Sequence, residues 1–461
     1  MNVELGRVKM PTAHTGYVPV DLTQETMNGH YTGVLERMQA KDLDTLVIYG
    51  DREHGANFAF LTGFETRFEE SLLILHRDGR NFFVLGNENL KLAAYSFVHG
   101  EVIHAPVFSL PNQPMEPDVP FRDLMRAAGI TDGTNIGCVG WKLFTSKCVN
   151  NDVMFDLPHF VVEAIRDISP NGKVVNACDI FLDPETGLRN IHNANEIAHY
   201  EANAGLASAR VLEAMNSIAP GKTELEVAQC LSAMGQPISI TTICATGERF
   251  TNAVVFPRNK AYQPGAQFSL TLGLRGGSSS RAGYVAKTRD ELPETDRNYV
   301  EAMVKPYYRA LTAMYENFAV GQKAGDFYDA VDREMPKEVY GWTLNPGHYT
   351  DDAEWSASPV WKDSGIIFKS GMMFQTDVIP SVRGHAGVSA EDGVAIADAQ
   401  LRKEIAETYP DTWRRIQDRR DYMIRELGIN LGPDVLPLSD ICGYLRPLVL
   451  NHEFAMKVSE K

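Results

Sequence analysis

The chain has 461 residues and a mass of 51.2 kDa, a length typical of two or three domains rather than one. Apolar residues make up 44% of it and charged residues 23%, which excludes a disordered chain and allows a sizeable core. With 44 basic and 60 acidic residues, the formal net charge of −16 argues against nucleic acid or an anionic membrane as the main partner.

The first part of the chain alternates helix and strand patterns up to about residue 180. Val34 to Ala40 has the apolar spacing of a helix, and the β-branched, apolar run at Thr45 to Tyr49 predicts a strand. Asp78-Gly79 is a hairpin-turn signal between two apolar runs. The predicted strands are residues 45–49, 71–75, 82–85, 101–105 and 135–139. This alternation is typical of an α/β domain with a mixed sheet.

The pattern changes after Arg189, where longer helices alternate with groups of strands. An Ala-, Glu- and Leu-rich stretch predicts a helix over residues 194–217, and Thr223 with Glu226 forms a capping box for the next helix. Further helices are predicted at 296–318, 327–334 and 400–427, and strands at 238–244, 267–272, 284–288, 371–379 and 391–397. The Gly-Gly-Ser-Ser-Ser run at 276–280 is interpreted as a long hairpin loop. We therefore expect an α+β architecture, with a domain of residues 1–186 followed by one of residues 187–461.

Six short segments resemble, in order, the sequence motifs of the creatinase/aminopeptidase P family. These segments are residues 57–64, 195–224, 283–284, 345–348, 371–374 and 391–394. The resemblance covers most of the chain, from about Val34 to Ile396. It implies an α+β fold in which an N-terminal creatinase-like α/β domain precedes a C-terminal pita-bread domain. That second domain consists of two helix-and-strand halves around an antiparallel sheet.

Three residues stand where metal-dependent members of this family hold two divalent ions. His348 and Glu391 match a histidine and a glutamate of that ligand set, and Asp377 replaces the other glutamate. The two aspartate positions fall on Thr271 and on either Ala286 or Lys287. Because two dications need bridging carboxylates, the resemblance implies no dinuclear metal site and no required cofactor, and leaves the binding of a divalent metal open.

The resemblance assigns catalysis to His348, Glu391 and Asp377. An unperturbed histidine titrates near pH ~6.5 and suits a general base, while the two carboxylates can orient it and bind a cationic nitrogen. The residues expected to contact the substrate are Arg67, Phe68, Tyr284, Trp355 and His385. Creatinase also relies on a histidine in the segment that matches residues 251–257, where this chain has none, so a different reaction is expected.

The leading interpretation is a metal-independent, creatinase-like hydrolase, or a lyase, that cleaves a non-peptide C–N bond in a small amino-acid-like compound. Two alternatives stay open: a metal-dependent Xaa-Pro aminopeptidase or dipeptidase, and a catalytically inactive homologue that only binds. The resemblance also implies a homodimer in which residues 65–70 of one chain border the active site of the other, with Arg67 suited to a substrate carboxylate. Because the N-terminus lacks a signal-peptide layout and the six cysteines are scattered, we expect a cytoplasmic protein without a membrane partner.

Overall fold

A computed structural model describes residues 1–66, 68–116, 118–247 and 256–459. Within these ranges the chain forms two compact units. The small unit is Leu22–Asn190, and the large unit combines Met1–Asp21 with Ile191–Lys461. The sequence boundary at 186/187 put the first residues in the N-terminal domain. They belong to the large unit because strand β1 (Val3–Arg7) pairs antiparallel with a strand at Phe454–Val458.

The small unit is built on a mixed six-stranded sheet. Its strands are β2 (Thr45–Gly50), β3 (Ser71–His76), β4 (Asn81–Leu85), β5 (Glu101–His104), β6 (Ile136–Val139) and β7 (Val174–Asn176), in the order β5-β4-β3-β2-β6-β7. Its helices are α1 (Gln24–Ala40), α2 (Ala56–Thr62), α3 (Phe121–Ala127), α4 (His159–Ile168) and α5 (Asp179–Leu182). Alternate residues of β2 enter different cores, Leu46 in one and Val47 in the other, which explains the continuous apolar run.

The large unit contains two four-stranded antiparallel sheets. Its strands are β8 (Ile243–Thr246), β9 (Gln267–Leu274), β10 (Gly277–Tyr284), β11 (His348–Tyr349), β12 (Met373–Gln375), β13 (Ser389–Glu391), β14 (Gly393–Ile396), β15 (Val435–Pro437) and β16 (Phe454–Val458). Its helices are α6 (Ala194–Ser217), α7 (Glu224–Ala228), α8 (Lys305–Asn317), α9 (Ala324–Glu334), α10 (Lys337–Tyr340), α11 (Ala399–Thr408) and α12 (Pro410–Arg425). One sheet has the order β13-β10-β9-β8 and the other β11-β12-β14-β15, so the predicted α+β architecture is confirmed.

The β9–β10 hairpin differs from its prediction. The run at 276–280 is not a long loop, because β9 and β10 are joined by the two residues Arg275 and Gly276. Gly276 has a φ of +94°, and a Cβ there would lie 2.4 Å from the Cβ of Tyr200. Only glycine therefore fits this turn. The three serines that follow lie inside β10, and the strand predicted at 284–288 has already ended at Tyr284.

Two predicted helices are interrupted. The helix expected at 400–427 is split into α11 and α12 because Pro410 lacks the amide hydrogen that would continue the ladder, and it begins α12 instead. The helix expected at 296–318 opens with a π-helical turn, Val300–Val304, before α8. Helix α6 matches its prediction, and Asn193 with Glu196 caps its N-terminus.

Two positions named from the sequence lie outside the described residues. Arg67 is one, and most of the segment 251–257, where creatinase carries its histidine, is the other. Within the described ranges, no helix combines the length and the apolar character needed to cross a membrane.

Candidate active site

Three side chains that could bind a metal ion converge in the large unit. A ring nitrogen of His348 and carboxylate oxygens of Asp377 and Glu391 all lie within 4.8 Å of one another. His348 begins β11 in one sheet, Asp377 follows β12 in the same sheet, and Glu391 ends β13 in the other. All three are buried. The structure thus brings together the three residues that the resemblance assigned to catalysis.

The backbone before β11 aims the histidine at the cluster. Gly347 has a φ of +83°, which turns the chain, and its amide donates to the carbonyl oxygen of Asp377 at 2.8 Å. In the next pair of the ladder, His348 lies opposite Gln375. This register fixes His348 beside the residues that lead into Asp377.

The imidazole of His348 is held in one tautomer. Its Nδ1 lies 3.1 Å from the carbonyl oxygen of Tyr349, which can only accept, so Nδ1 carries the hydrogen. Its Nε2 is buried without a hydrogen-bond partner, 3.5 Å from a carboxylate oxygen of Glu354 and 4.0 Å from one of Asp377. Burial lowers the pKa of His348 to about 4, so the ring is neutral and Nε2 presents a lone pair to the carboxylates.

Three carboxyl groups meet at the cluster, and the pKa of each is raised. Burial raises the pKa of Glu354 to about 8, and repulsion from Glu391 adds to this. Burial, and then repulsion from Glu391 and Glu354, raises the pKa of Asp377 well above its usual range. Burial also raises the pKa of Glu391. These raised pKa values favour protonated carboxyl groups in the ion-free site, and a divalent cation would instead stabilise their negatively charged forms beside the neutral histidine.

Glu354 is a member of this site that the sequence reasoning missed. It lies between β11 and β12, directly before Trp355, and its side chain is 22% exposed. The available signal was its place in the acidic stretch 351–354, six residues after His348. An exposed acidic turn explains such a stretch equally well, so only the three-dimensional contact reveals it.

The donor set fits a metal ion. One imidazole nitrogen and carboxylate oxygens are the ligands that zinc, manganese and iron(II) take in proteins. The buried, unpartnered Nε2 of His348 is the observation that supports this fit, since such an atom otherwise costs free energy. The described residues of the cluster therefore suit one divalent ion.

The sheet wall beside Glu391 carries hydroxyl and amide groups. The Oγ of Ser278 and the Nε2 of Gln375 both donate to Oε1 of Glu391, each at 2.9 Å. Ser280 lies opposite Glu391 in the ladder, and Thr271 lies opposite Ser280, with 2.9 Å between their hydroxyl oxygens. Glu391, Ser280, Thr271 and Ser278 point to one face of their sheet because paired residues and residues two apart share a face, and Gln375 reaches Glu391 from the other sheet.

The sequence motifs placed the second aspartate position on Ala286 or Lys287, and neither residue lies on the sheet face beside Glu391. Ala286 is buried in the hydrophobic core, and Lys287 is exposed after the end of β10. Residues 277–280 form the start of β10 rather than the predicted loop, so the β10 positions that face Glu391 precede Gly283-Tyr284 instead of following them. Ser278 and Ser280 are the β10 side chains that face Glu391.

An ion pair lies on the opposite face of the same strands. Arg281 donates to a carboxylate oxygen of Asp392 at 2.6 Å and to the carbonyl oxygen of Glu391 at 3.1 Å. Both ionic side chains are fully buried. Arg281 therefore anchors the backbone of Glu391, while its charge is paired with Asp392.

The substrate-contact residues named from the sequence are distributed over separate places. The indole of Trp355 stacks on His348 with ring centroids 4.1 Å apart and is 40% exposed. Tyr284 and His385 both bind the carboxylate of Asp296, the tyrosine at 2.6 Å, rather than a member of the cluster. Phe68 belongs to the small unit, where it is 61% exposed and has a φ of +64°.

No family model matches the chain, and no curated protein matches it either. Many solved structures do. A dipeptidase PepE from Mycobacterium ulcerans has a TM-score of 0.61 and 16% identity, covering 82% of this chain and 94% of its own. A prolidase from Pyrococcus furiosus has a TM-score of 0.58 and 18% identity over 79% and 96%. An Xaa-Pro dipeptidase from Bacillus anthracis has a TM-score of 0.58 and 15% identity over 81% and 96%.

At these identities the likeness concerns the fold. The chain has the pita-bread fold of these enzymes, as the sequence motifs implied.

Proposed function

We propose that the protein is a metal-dependent hydrolase that cleaves the C–N bond of a small amino-acid-like or dipeptide substrate at the His348–Asp377–Glu391 cluster. The observation that carries this proposal is the buried, unpartnered Nε2 of His348 facing an excess of carboxylates. The structural neighbours, named as dipeptidases and a prolidase, favour this peptidase alternative over the metal-independent reading. The substrate is taken to be small because the cluster is buried.

In this proposal His348, Asp377 and Glu391 would hold the ion, which when bound supplies a Lewis acid that polarises the scissile carbonyl and lowers the pKa of the attacking water. Hydrolysis adds a hydroxyl to the carbonyl carbon and a hydrogen to the leaving nitrogen. Glu354 is the group best situated to carry that proton, since it lies 3.5 Å from Nε2 of His348 and is partly exposed to solvent. Trp355 covers one face of His348 and limits the access of bulk water.

Turnover of a panel of Xaa-Pro dipeptides and N-substituted amino acids tests this proposal. The full chain is stripped with a chelator, assayed, and assayed again after addition of Mn²⁺, Zn²⁺ or Co²⁺. We expect activity to need the ion. His348→Ala and Glu391→Gln should each lower activity by roughly 100-fold or more, because each variant weakens the metal site. Glu407→Gln, at an exposed helix position, is the matched control. Full turnover in the chelated enzyme would contradict the proposal.

One observation favours the metal-independent hydrolase as a second candidate. Thr271 and Ser280 present neutral hydroxyls on the wall beside Glu391. A site lined this way can bind the polar groups of a substrate directly. Turnover of N-substituted amino acids that survives chelation, with no cleavage of dipeptides, would select this candidate. A stripped and reconstituted protein that turns over neither class would instead support the inactive binding homologue.

A further inference from the structure

We infer that this cluster binds one divalent ion rather than a pair, because protein side chains occupy the ligand oxygen that a second ion would need. The amide of Gln375 and the hydroxyl of Ser278 occupy the oxygen of Glu391 that a second ion would need. Both are positioning residues that leave the other oxygen of Glu391 to act as a ligand. This inference rests on the proposed function only in taking the cluster as a metal site.

The first step of the argument concerns the two oxygens of Glu391. A pair of ions ~3.5–4 Å apart is bridged by carboxylates that use both of their oxygens. Here Oε1 of Glu391 already accepts from Ser278 and from Gln375, each at 2.9 Å. Two donors fill the acceptor positions of Oε1 on that side, which leaves Oε2 for an ion.

The second step concerns the orientation of the Gln375 amide. Its Nε2 lies 3.0 Å from the carbonyl oxygen of Ser278 and 2.6 Å from its hydroxyl, in addition to Glu391. The reversed amide would set Oε1 against a carbonyl and a carboxylate oxygen, which repel it. In the observed orientation Oε1 faces two glycines, because a Cβ at Gly277 or Gly393 would lie 3.4 or 3.3 Å from it. The contacts of Nε2 therefore favour the orientation with the amide donors toward Glu391, and among the described residues Oε1 is left buried without a hydrogen-bond partner.

The third step concerns charge. A second dication would need anionic ligands on the wall formed by β9 and β10. The described side chains nearest Glu391 on those strands are Ser278, Ser280 and Thr271, which are neutral. The hydroxyls of Ser280 and Thr271 are also paired with each other at 2.9 Å. Neither the ligand oxygen nor the negative charge that a second ion requires is found among these residues.

Gln375 then has a definite role in binding the single ion. It is fully buried and lies opposite His348 in the β11–β12 ladder. Because its side chain also donates to Glu391, Gln375 contacts two of the three residues that would bind the ion. Without its donors, the Glu391 side chain gains alternative rotamers that move its carboxylate away from His348 and Asp377. Loss of such an outer contact lowers metal affinity by roughly 10- to 100-fold.

The test is the stoichiometry and affinity of metal binding by the full-length protein. The chelated protein is titrated calorimetrically with Mn²⁺ and with Co²⁺, and bound metal is measured by elemental analysis after gel filtration. We expect one equivalent per chain. We expect Gln375→Met and Ser278→Ala to keep that stoichiometry and to bind the ion roughly 10- to 100-fold more weakly. Gln322→Met is the control, since within the described part of the chain that amide bonds to the backbone of Lys323 and not to the cluster.

The outcomes separate this inference from the proposed function. Two equivalents of comparable affinity in the parent protein would overturn the inference and leave the metal-dependent hydrolase standing. Failure to bind any ion would overturn the proposed function, and the inference with it. One equivalent with unchanged affinity in both variants would remove the positioning role of Gln375 and Ser278. Ser278→Ala serves this comparison if Gln375→Met does not fold, as judged by circular dichroism.

Discussion

Replacing Asp377 by asparagine should change stability in opposite directions with and without the ion. In the chelated protein, Asp377 is a buried carboxylate beside Glu391 and Glu354, and burial together with this repulsion raises its pKa. Each pKa unit of such a shift costs about 1.36 kcal/mol. The variant Asp377→Asn removes that cost, so the chelated variant should unfold at a higher temperature than the chelated parent.

With the ion present the order should reverse. An ion at ~100 times its Kd stabilises the folded parent by about 2.7 kcal/mol. Domains of roughly 150–250 residues shift by roughly 2–4 °C per kcal/mol, so for this longer chain the rise in Tm is at most roughly 5–10 °C. Asp377→Asn lacks one ligand oxygen and should show little of this rise. The assay is thermal unfolding followed by circular dichroism, in chelator and in excess Mn²⁺.

Asp290→Asn, at a side chain that is 92% exposed, provides the control and should respond to the ion like the parent. The reasoning would be refuted if Asp377→Asn lowered the Tm of the chelated protein, because the carboxylate would then have a stabilising partner in the ion-free state. It would also be refuted if the variant kept the full rise in Tm with Mn²⁺.

Three further predictions concern other residues. Trp355→Ala should lower kcat by ~10-fold with a smaller change in KM, whereas Trp355→Phe should restore most of it; equal effects of both would contradict a stacking role. His14 bonds to Asp440 and Asp418 through its two ring nitrogens, and chiefly the Asp440 bond raises its pKa. That stabilisation is fully present below pH ~6.5 and is lost as pH rises through the raised pKa. In urea unfolding, His14→Gln should therefore lower the free energy of unfolding by up to roughly 1 kcal/mol at pH 6 and by little at pH 9. Light scattering should give twice the 51.2 kDa chain mass, and Arg67→Ala should reduce turnover in that dimer; a monomer, or unchanged kinetics, would contradict the proposed shared active site.

Local signals in the sequence were sufficient for much of the fold. The Thr223–Glu226 capping box of α7 and the Asp78-Gly79 turn involve residues only a few positions apart, so the local sequence is sufficient to predict them. His348 and Glu391 were found through motifs with fixed local spacing. Their meeting in space agrees with the fold that those motifs implied.

The parts that could not be predicted depend on distant partners. Ser278 and Ser279 look like loop residues because small polar side chains are rarely strand formers. They are buried in β10 because Glu391 and Asp392, more than 100 positions later, accept their hydroxyl hydrogens. Glu354 was missed for a different reason: it lies only six positions after His348, but its contact with that histidine depends on how the loop after β11 folds back.

The place of the small unit in the chain has a consequence for how the protein can be divided. Because Leu22–Asn190 interrupts the large unit, the protein is an insertion of one unit into another rather than two units in series. A cut at residue 186/187 would leave β16 without β1 and expose the backbone groups of a sheet edge. Excision of residues 22–190, with a short linker joining Asp21 to Ile191, keeps that strand pair intact. The excised segment retains a six-stranded sheet and two cores of its own, so each piece can be studied as a folding unit.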